Sequence, residues 1–364
     1  MRIGLYIRGI SEKIGGARQS IELMSRALID AVSTEDELYI FHNLKEKFFN
    51  SDKTNVREVL LKSRNKILCD FIEAPIVLNS YNLDVIWYSK NVIPFGIKNK
   101  KIVTVLDLAY FLPKYNAYPL LDTIYMRLMI KSSCKRADKI IAISQNTKKD
   151  IEELIGVDKK SVDVVYLAAA EKYNSKYSKN EIKNFREKYG LTFPFILYTG
   201  SISPRKNLKR LVEAYEMIAS KIAYKLVITG GKGWKNKEIL KLLDRNENIV
   251  RLGFVEDDEM PLLYNCADMY IYPSLYEGFG LPVLEAQACR CPVICSNSSS
   301  MPEIAAESVL YIDPYSTADI AKKILKLSTD KKLISDIIKR GTMNEERFSW
   351  KESSKKLLKI IKSI

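Results

Sequence analysis

The chain has 364 residues, 47% hydrophobic and 28% charged, with 58 Lys and Arg against 44 Asp and Glu for a formal charge of +14. At roughly 100–200 residues per domain this length predicts two domains, and the apolar fraction excludes a disordered chain. The longest apolar runs break before the roughly 18–20 residues a membrane span needs, and Arg8 interrupts what would be a signal-peptide core, so the sequence predicts a soluble cytoplasmic protein.

Along the first half, the almost wholly apolar runs at 2–7, 38–41, 84–88, 101–106, 139–144 and 163–167 predict parallel strands covered on both faces. Between them, 17–32 predicts a helix with Ile21, Leu23, Met24, Ala27, Leu28 and Ala31 on its apolar side, and 120–136 predicts another. Ser144 is a natural N-cap for a third helix carrying Ile151, Leu154 and Ile155. The polar stretch 171–188 has no sheet pattern and predicts a domain boundary. The alternation then resumes, with strands at 195–199, 225–229, 249–254, 269–272, 292–295 and 309–312, and helices at 208–219, 237–245, 260–266, 282–288, 318–327 and 331–347. The basic segment 350–364 spaces Leu357, Leu358, Ile361 and Ile364 for one apolar helix face. It predicts either a helix packed on its own domain or one that crosses back to the first. The expected fold is α/β: two doubly wound, Rossmann-like parallel-sheet domains whose ligands bind beyond the carboxyl ends of the strands, with a cleft between the halves as the default site. The domains are placed at 1–172, joined by the helix at 348–364, and at 190–347.

Three partners suit the basic excess: nucleic acid, an anionic membrane face, or a phosphate-bearing small molecule. A nucleic-acid binder would show a dense Lys/Arg stripe with interleaved aromatics, whereas these cations are spread over both halves and mixed with acids, so no nucleic acid is expected. The six cysteines are too sparse for a disulfide scaffold. Cys289, Cys291 and Cys295 lack C-x2-C spacing and a neighbouring histidine, so no metal site is expected and the thiols read as buried and reduced.

The turn Gly200-Ser201-Ile202-Ser203-Pro204-Arg205-Lys206-Asn207 follows a strand and opens a helix. Small residues let backbone N–H groups approach a ligand, a helix N-terminus favours negative charge, and Arg205 with Lys206 adds two cations, which together suit a phosphate; two solvated charges on an ordinary turn are the alternative. Further on, Tyr276-Glu277-Gly278-Phe279-Gly280-Leu281-Pro282-Val283-Leu284-Glu285-Ala286 joins a strand to a helix, with Pro282 suited to the first helical turn. Glu277 in the loop and Glu285 in the helix are acceptor-only groups, fit for the hydroxyls of sugar and ribose.

An E-x7-E arrangement enclosing G-F-G-L-P, preceded by G-S-x-x-x-R-K-N, resembles the retaining, nucleotide-sugar-dependent glycosyltransferases of group 1, or family 4. The likeness extends to Gly15-Gly16, the A-D-K-I-I-A-I-S run ending at Ser144, Gly253-Phe254-Val255, the helix with Leu263 and Tyr264, and Phe348-Ser349-Trp350. It implies a GT-B fold with the donor in the second domain, the acceptor chiefly in the first, and the last helix returning to the first. By the same resemblance Arg205 and Lys206 bind the donor diphosphate, and Glu285 holds the ribose. Glu277 meets the transferred sugar, and Gly278, Phe279, Gly280 and Leu281 offer backbone donors, as do Gly200 and Ser201. Gly253, Phe254, Val255 and Leu263 line the base pocket, and Gly15 and Gly16 approach the acceptor side. No metal or other cofactor is expected, because two cations and a helix terminus take the place of a divalent ion. Many relatives carry His-Asp where this chain has Leu106-Asp107, so the catalytic part of that pair falls to Asp107, for which a turn cap is the alternative. The expected activity moves a hexose-type sugar from a nucleoside diphosphate to a glycan or lipid-linked saccharide. A sugar-nucleotide epimerase on the same architecture and a non-catalytic basic nucleic-acid-binding protein are the rivals. The surplus of cations, including Lys98, Lys100, Lys101, Lys131, Lys135, Arg136, Lys139 and the last helix, leaves two readings, peripheral contact with an acidic inner membrane face or a plain solvated surface.

Overall fold

The computed structural model describes residues 1–7, 16–44, 47, 49, 53–63, 65–231 and 233–364. These form two compact units: Met1–Phe111, Leu120–Leu167 and Ser349–Ile364 in the first, and Leu112–Pro119 with Ala168–Phe348 in the second.

Unit 1 contains β1 (Arg2–Tyr6), α1 (Gly16–Ala31), β2 (Glu37–His42), β3 (Val56–Leu60), α2 (Lys66–Leu68), α3 (Ala74–Ser80), β4 (Val85–Tyr88), β5 (Lys100–Val105), α4 (Leu120–Arg136), β6 (Lys139–Ala142), α5 (Gln145–Ile155) and β7 (Val162–Val164). A short π-helical turn, Cys69–Glu73, joins α2 to α3. Among the described residues the strands lie in the order β3-β2-β1-β4-β5-β6-β7, every neighbouring pair parallel. The apolar runs are strands because both faces of the sheet are covered, and Ile3, Leu5, Ile86, Trp87, Val103 and Ile141 are buried. Ser144 caps α5 by accepting the Thr147 N–H at 3.0 Å. β3 escapes the sequence pattern because it is an edge strand whose Arg57 and Glu58 interrupt the apolar run.

Unit 2 contains α6 (Lys179–Lys188), β8 (Phe195–Thr199), α7 (Leu208–Glu216), β9 (Lys225–Thr229), α8 (Lys237–Leu243), β10 (Ile249–Gly253), α9 (Met260–Cys266), β11 (Met269–Tyr272), α10 (Leu281–Ala288), β12 (Val293–Ser296), α11 (Met301–Ala305), β13 (Leu310–Ile312), α12 (Thr317–Thr329) and α13 (Lys331–Glu345). Its strands are ordered β10-β9-β8-β11-β12-β13, again all parallel. The winding reverses between β8 and β11, so the turns leaving those two strands flank the switch point where doubly wound sheets bind ligands. The units divide at Leu167 and Ala168, ahead of the polar stretch expected to form the boundary. The second part of that stretch folds into α6, started by a Ser178–Glu181 capping box and packed on unit 2 through buried Phe185.

The last helix, α14 (Trp350–Lys362), belongs to unit 1 and packs on α1 through buried Leu357 and Ile361. Ser353 Oγ donates to the Tyr166 carbonyl at 2.7 Å, and Lys362 pairs with buried Asp36 at 2.6 Å. The helices α3, α4 and α5 share a different apolar cluster with Tyr6, Tyr39 and Phe41, on the other face of the sheet from α1. The lysines of α14 therefore do not extend the basic surface of α4. Among the remaining cations, Lys100 and Lys101 flank Asp138, and Lys139 meets Asp163. Truncating the fully buried Leu357 to Ala is expected to destabilise unit 1 by about 2–5 kcal/mol; an unchanged urea midpoint for that variant would show that α14 is not part of its core.

Candidate active site

The turn after β8 is built by close backbone contact. Gly200 N donates to the Thr229 carbonyl at 3.0 Å and Ile202 N to the Gly231 carbonyl at 3.1 Å, laying this turn on the one that follows β9. A Cβ on Gly230, at φ +138°, would lie 2.1 Å from the Gly200 oxygen, so only glycine fits there. This Gly230-Gly231 pair was not singled out from the sequence. Its signal was only a double glycine at the end of an apolar strand.

Pro204–Lys206 then forms a single 3₁₀ turn, and α7 starts after Asn207 in the left-handed region at φ +59°. Arg205 and Lys206 thus stand in the turn ahead of the α-helix and not in its first helical turn. Buried Asn207 donates to the Pro273 carbonyl at 3.0 Å and the Pro314 carbonyl at 2.6 Å, tying the turn to the ends of β11 and β13. Leu275 N donates to the Arg205 carbonyl at 2.9 Å, closing the link to the loop after β11.

These contacts bring the predicted charges together. Arg205 Nη1 donates to Glu277 Oε2 at 3.0 Å and to the Tyr276 carbonyl at 2.6 Å. Lys206 Nζ donates to Glu277 Oε1 at 2.7 Å and to the Tyr272 hydroxyl at 2.8 Å. Glu277 is 8% exposed. Burial alone would raise its pKa, but the charges of Arg205 and Lys206 outweigh that and hold it at about 2. The loop is fastened from the far side by two serines: Ser299 Oγ accepts the Glu277 N–H at 2.9 Å, and Ser300 Oγ lies 3.0 Å from the Glu277 carbonyl and 2.6 Å from that of Phe279. Neither serine was legible as a site residue, because the contact joins loops more than twenty positions apart. Gly280 caps α10 at φ +117°, where a Cβ would strike Met301 Cε at 2.4 Å. Phe279 and Leu281 are buried, Phe279 edge-on to Phe348 at 5.8 Å. Tyr276 stacks on Tyr115, 5.5 Å between centroids, in the Leu112–Pro119 segment that belongs to this unit.

Glu285, on α10, is 5% exposed and has the opposite electrostatics. Burial pushes its pKa up to about 7, Asp257 adds to the rise, and the Tyr264 and Tyr173 hydroxyls and Lys172 only partly offset it. Tyr264 donates to Glu285 Oε2 at 3.2 Å. The same hydroxyl lies 3.2 Å from Thr199 Oγ1, which lies 2.9 Å from the Tyr270 hydroxyl. A buried row of hydroxyls therefore backs Glu285 and reaches the carboxyl end of β8.

The remaining expected residues divide. Val255 and Leu263 are buried, and Phe254 is 60% exposed. The Gly253 carbonyl accepts from Gly230 N at 3.1 Å and Thr229 Oγ1 at 2.8 Å, so it is occupied in joining β9 and β10. Of this group Phe254 alone carries its side chain to solvent. In unit 1, Asp107 follows β5 and its Oδ1 accepts the Ala109 N–H at 3.0 Å, the bond of a turn cap. The preceding Leu106 N–H is held by Asn91 Oδ1 at 3.0 Å. Gly16 begins α1, and Gly15 lies outside the described residues. All six cysteines are buried and unpaired, and burial raises the Cys289, Cys291 and Cys295 thiols. Among the described residues no cluster of His, Cys, Asp or Glu could hold a metal ion.

Two parallel doubly wound units are the architecture of the GT-B fold, and one carries the Arg205–Glu277–Lys206 triad at its switch point. Residues 180–343 match the family described as glycosyl transferases group 1. It is 29% identical to the O-antigen chain mannosyltransferase B of Escherichia coli, over 92% of each chain. Identity is 25% with the serotype-specific mannosyltransferase WbdA of Escherichia coli, covering 94% of this chain but only 44% of that protein. Among solved structures, a sucrose-phosphate synthase from Thermosynechococcus elongatus superposes with a TM-score of 0.79 at 18% identity, covering 100% of this chain and 98% of that one. WaaG, a glycosyltransferase involved in lipopolysaccharide biosynthesis, gives 0.75 at 16% identity over 99% of each chain.

Because folded Glu285 keeps a proton up to about pH 7 that the unfolded chain releases near its usual 4.5, its stabilising effect is complete below pH 4.5 and lost as pH rises through about 7. Glu285→Gln is therefore expected to be more stable than the parent at pH 8, by up to about 3 kcal/mol, with little gain at pH 5. Urea melts at both pH values check this, and an equal gain at each would contradict the buried-carboxyl account.

Proposed function

We propose that this protein transfers a hexose, as mannose, from a nucleoside diphosphate donor to a saccharide or lipid-linked saccharide acceptor, in the assembly of a surface polysaccharide of O-antigen type. The single observation that carries the donor half is the Arg205–Glu277–Lys206 triad at the switch point of unit 2. The mannosyl and polysaccharide parts rest on the activities named for the relatives, and retention of anomeric configuration rests on the family resemblance.

The chemistry follows from charge. Breaking the bond between sugar and diphosphate leaves negative charge on the departing oxygen. Arg205 and Lys206 are fixed before the reaction begins, so they stabilise that charge without reorganising. Glu277 holds the two cations apart and in place, and each of its oxygens retains a second lone pair for a sugar hydroxyl. Glu285, ionised as the donor arrives, accepts from the ribose hydroxyls. Phe254 offers an exposed ring for the base. The cations supply what a divalent ion would supply, so the reaction proceeds without a metal cofactor. The acceptor is assigned to unit 1, with Asp107 beside the reacting hydroxyl, and the protein works at the cytoplasmic face of a membrane.

Arg205→Ala and Lys206→Ala should each lower turnover by about 10²–10³, some 2–4 kcal/mol of transition-state stabilisation. Near-parental rates in both would remove the triad from the reaction. Asp107→Asn keeps an acceptor for the Ala109 N–H but loses the charge, so it is expected to lower turnover while leaving nucleotide affinity unchanged; full turnover would leave Asp107 as a cap only. Thermal shifts with UDP, GDP, ADP and their sugars, with and without EDTA, identify the donor, since a ligand that binds only the folded state raises the melting temperature. A shift abolished by EDTA would overturn the metal-free reading.

A further inference from the structure

The sequence of α4, LLDTIYMRLMIKSSCKR, does not gather its apolar residues on one face, as a helix packed on a single side does. Met126, Met129, Ile130 and Cys134 are buried against the sheet, while the outward row reads Leu121, Ile124, Leu128, Lys131 and Lys135 at spacings of 3, 4, 3 and 4. Leu121 is 82% exposed and Leu128 66%.

A second uncovered apolar face adjoins it. Along α2, the π-helical turn and α3, the exposed side chains include Phe71, Ile72 and Ile76. The two faces are joined at the end of α4. The Arg136 guanidinium lies 4.3 Å from the Phe95 ring centroid and is fixed by the Ile93 carbonyl at 2.6 Å and the Pro94 carbonyl at 2.9 Å, and Phe95 stacks on Phe71 at 5.7 Å. Large aliphatic and aromatic side chains thus flank Lys131, Lys135 and Arg136 on one side of unit 1. Asp122 is the acid at the start of α4, and it accepts from the Tyr110 hydroxyl at 3.2 Å.

We propose that this face of unit 1 is a membrane-docking surface, on which Leu121, Ile124, Leu128, Phe71, Ile72 and Ile76 enter the headgroup and acyl boundary of an anionic bilayer while Lys131, Lys135 and Arg136 meet lipid phosphates. Contiguous exposed apolar side chains rimmed by cations mark an interaction site. Charge complementarity selects the occupant. A second copy of this chain, itself at +14, would set Lys131 and Lys135 against cations of its own kind, whereas an anionic lipid surface neutralises them and takes up the apolar row at the same time. Among the described residues no helix is long and apolar enough to cross a membrane. The contact is interfacial. It deepens the reading of a lipid-linked acceptor on unit 1 and is independent of the donor chemistry in unit 2.

The test is co-sedimentation of the full chain with vesicles of phosphatidylcholine alone or mixed with phosphatidylglycerol, at low and high salt. The parent is expected to bind the mixed vesicles at least about tenfold more tightly than the neutral ones, and less as salt rises. Leu121→Asp with Leu128→Asp, and separately Lys131→Glu with Lys135→Glu, should each reduce that binding about tenfold or more while leaving the melting temperature and the donor nucleotide's thermal shift intact. A parent that stays in the supernatant with anionic vesicles, or a Leu121→Asp, Leu128→Asp variant that binds as well as the parent, overturns the proposal. So does sedimentation velocity showing a dimer that this variant dissolves, which would give the face to a second copy. The nucleotide shift reports on the donor site alone, so failure of the docking surface and failure of the transferase reading are distinguished.

Discussion

The buried carboxylate of Glu277, held between Arg205 and Lys206, constrains everything around it. Three charges taken out of water cost several kcal/mol each before they attract one another, and they recover that cost only at short, well-directed contacts. The cations leave one strand and the carboxylate another, so the contacts require two turns to be fixed to each other independently. This explains the density of fastenings: Asn207 to the ends of β11 and β13, Leu275 N to the Arg205 carbonyl, Ser299 and Ser300 on the loop of Glu277, and glycine where the turns after β8 and β9 touch. The triad is less a source of stability than the reason this end of the sheet must be rigid.

The two glutamates of the E-x7-E run show how one loop and one helix separate the chemistry of identical side chains. Both are almost wholly buried. Glu277 has two cations within 3.0 Å and is held near 2, while Glu285 has hydroxyls and a distant lysine and is pushed up to about 7. A carboxylate neutralised in this way can stand close to a diphosphate without repelling it, and one poised near neutrality ionises when hydroxyl donors arrive to satisfy it. The row from Glu285 through Tyr264 and Thr199 to Tyr270 lets that ionisation be met by reorienting hydroxyl protons instead of admitting water.

The fold was legible because parallel strands buried on both faces are apolar runs, and that signal is local. What escaped was nonlocal or exposed. β3 is half-covered and carries Arg57 and Glu58; the π-helical turn and α3 turn Phe71, Ile72 and Ile76 outward and so lack the one-sided pattern of a surface helix. α6 reads as part of a polar stretch because Phe185, its one buried residue, stands amid charges, and its ties to unit 2 through Arg186 to the Cys266 carbonyl and Lys188 to Glu259 are nonlocal. In the site, Arg205, Lys206, Glu277 and Glu285 stood out because charged residues beside glycine-rich turns are conspicuous. Their mutual arrangement, with Glu277 as the partner of both cations, was not legible, since a carboxylate in isolation reads as a ligand for hydroxyls. Gly230, Ser299 and Ser300 have no signature outside the fold.

The same distinction bears on the +14 charge. Cations with a structural partner, such as Lys362 on Asp36 or Lys101 beside Asp138, account for helix docking and sheet ends. Arg205 and Lys206 are offset in part by Glu277, so the turn after β8 carries a small net charge. The cations that bear on an interaction surface are those exposed beside apolar side chains, because there charge coincides with a surface that water solvates poorly. On α4 the two properties share one helical row, and the exposed Leu121, Ile124 and Leu128 on it are apolar side chains that packing in unit 1 leaves unexplained.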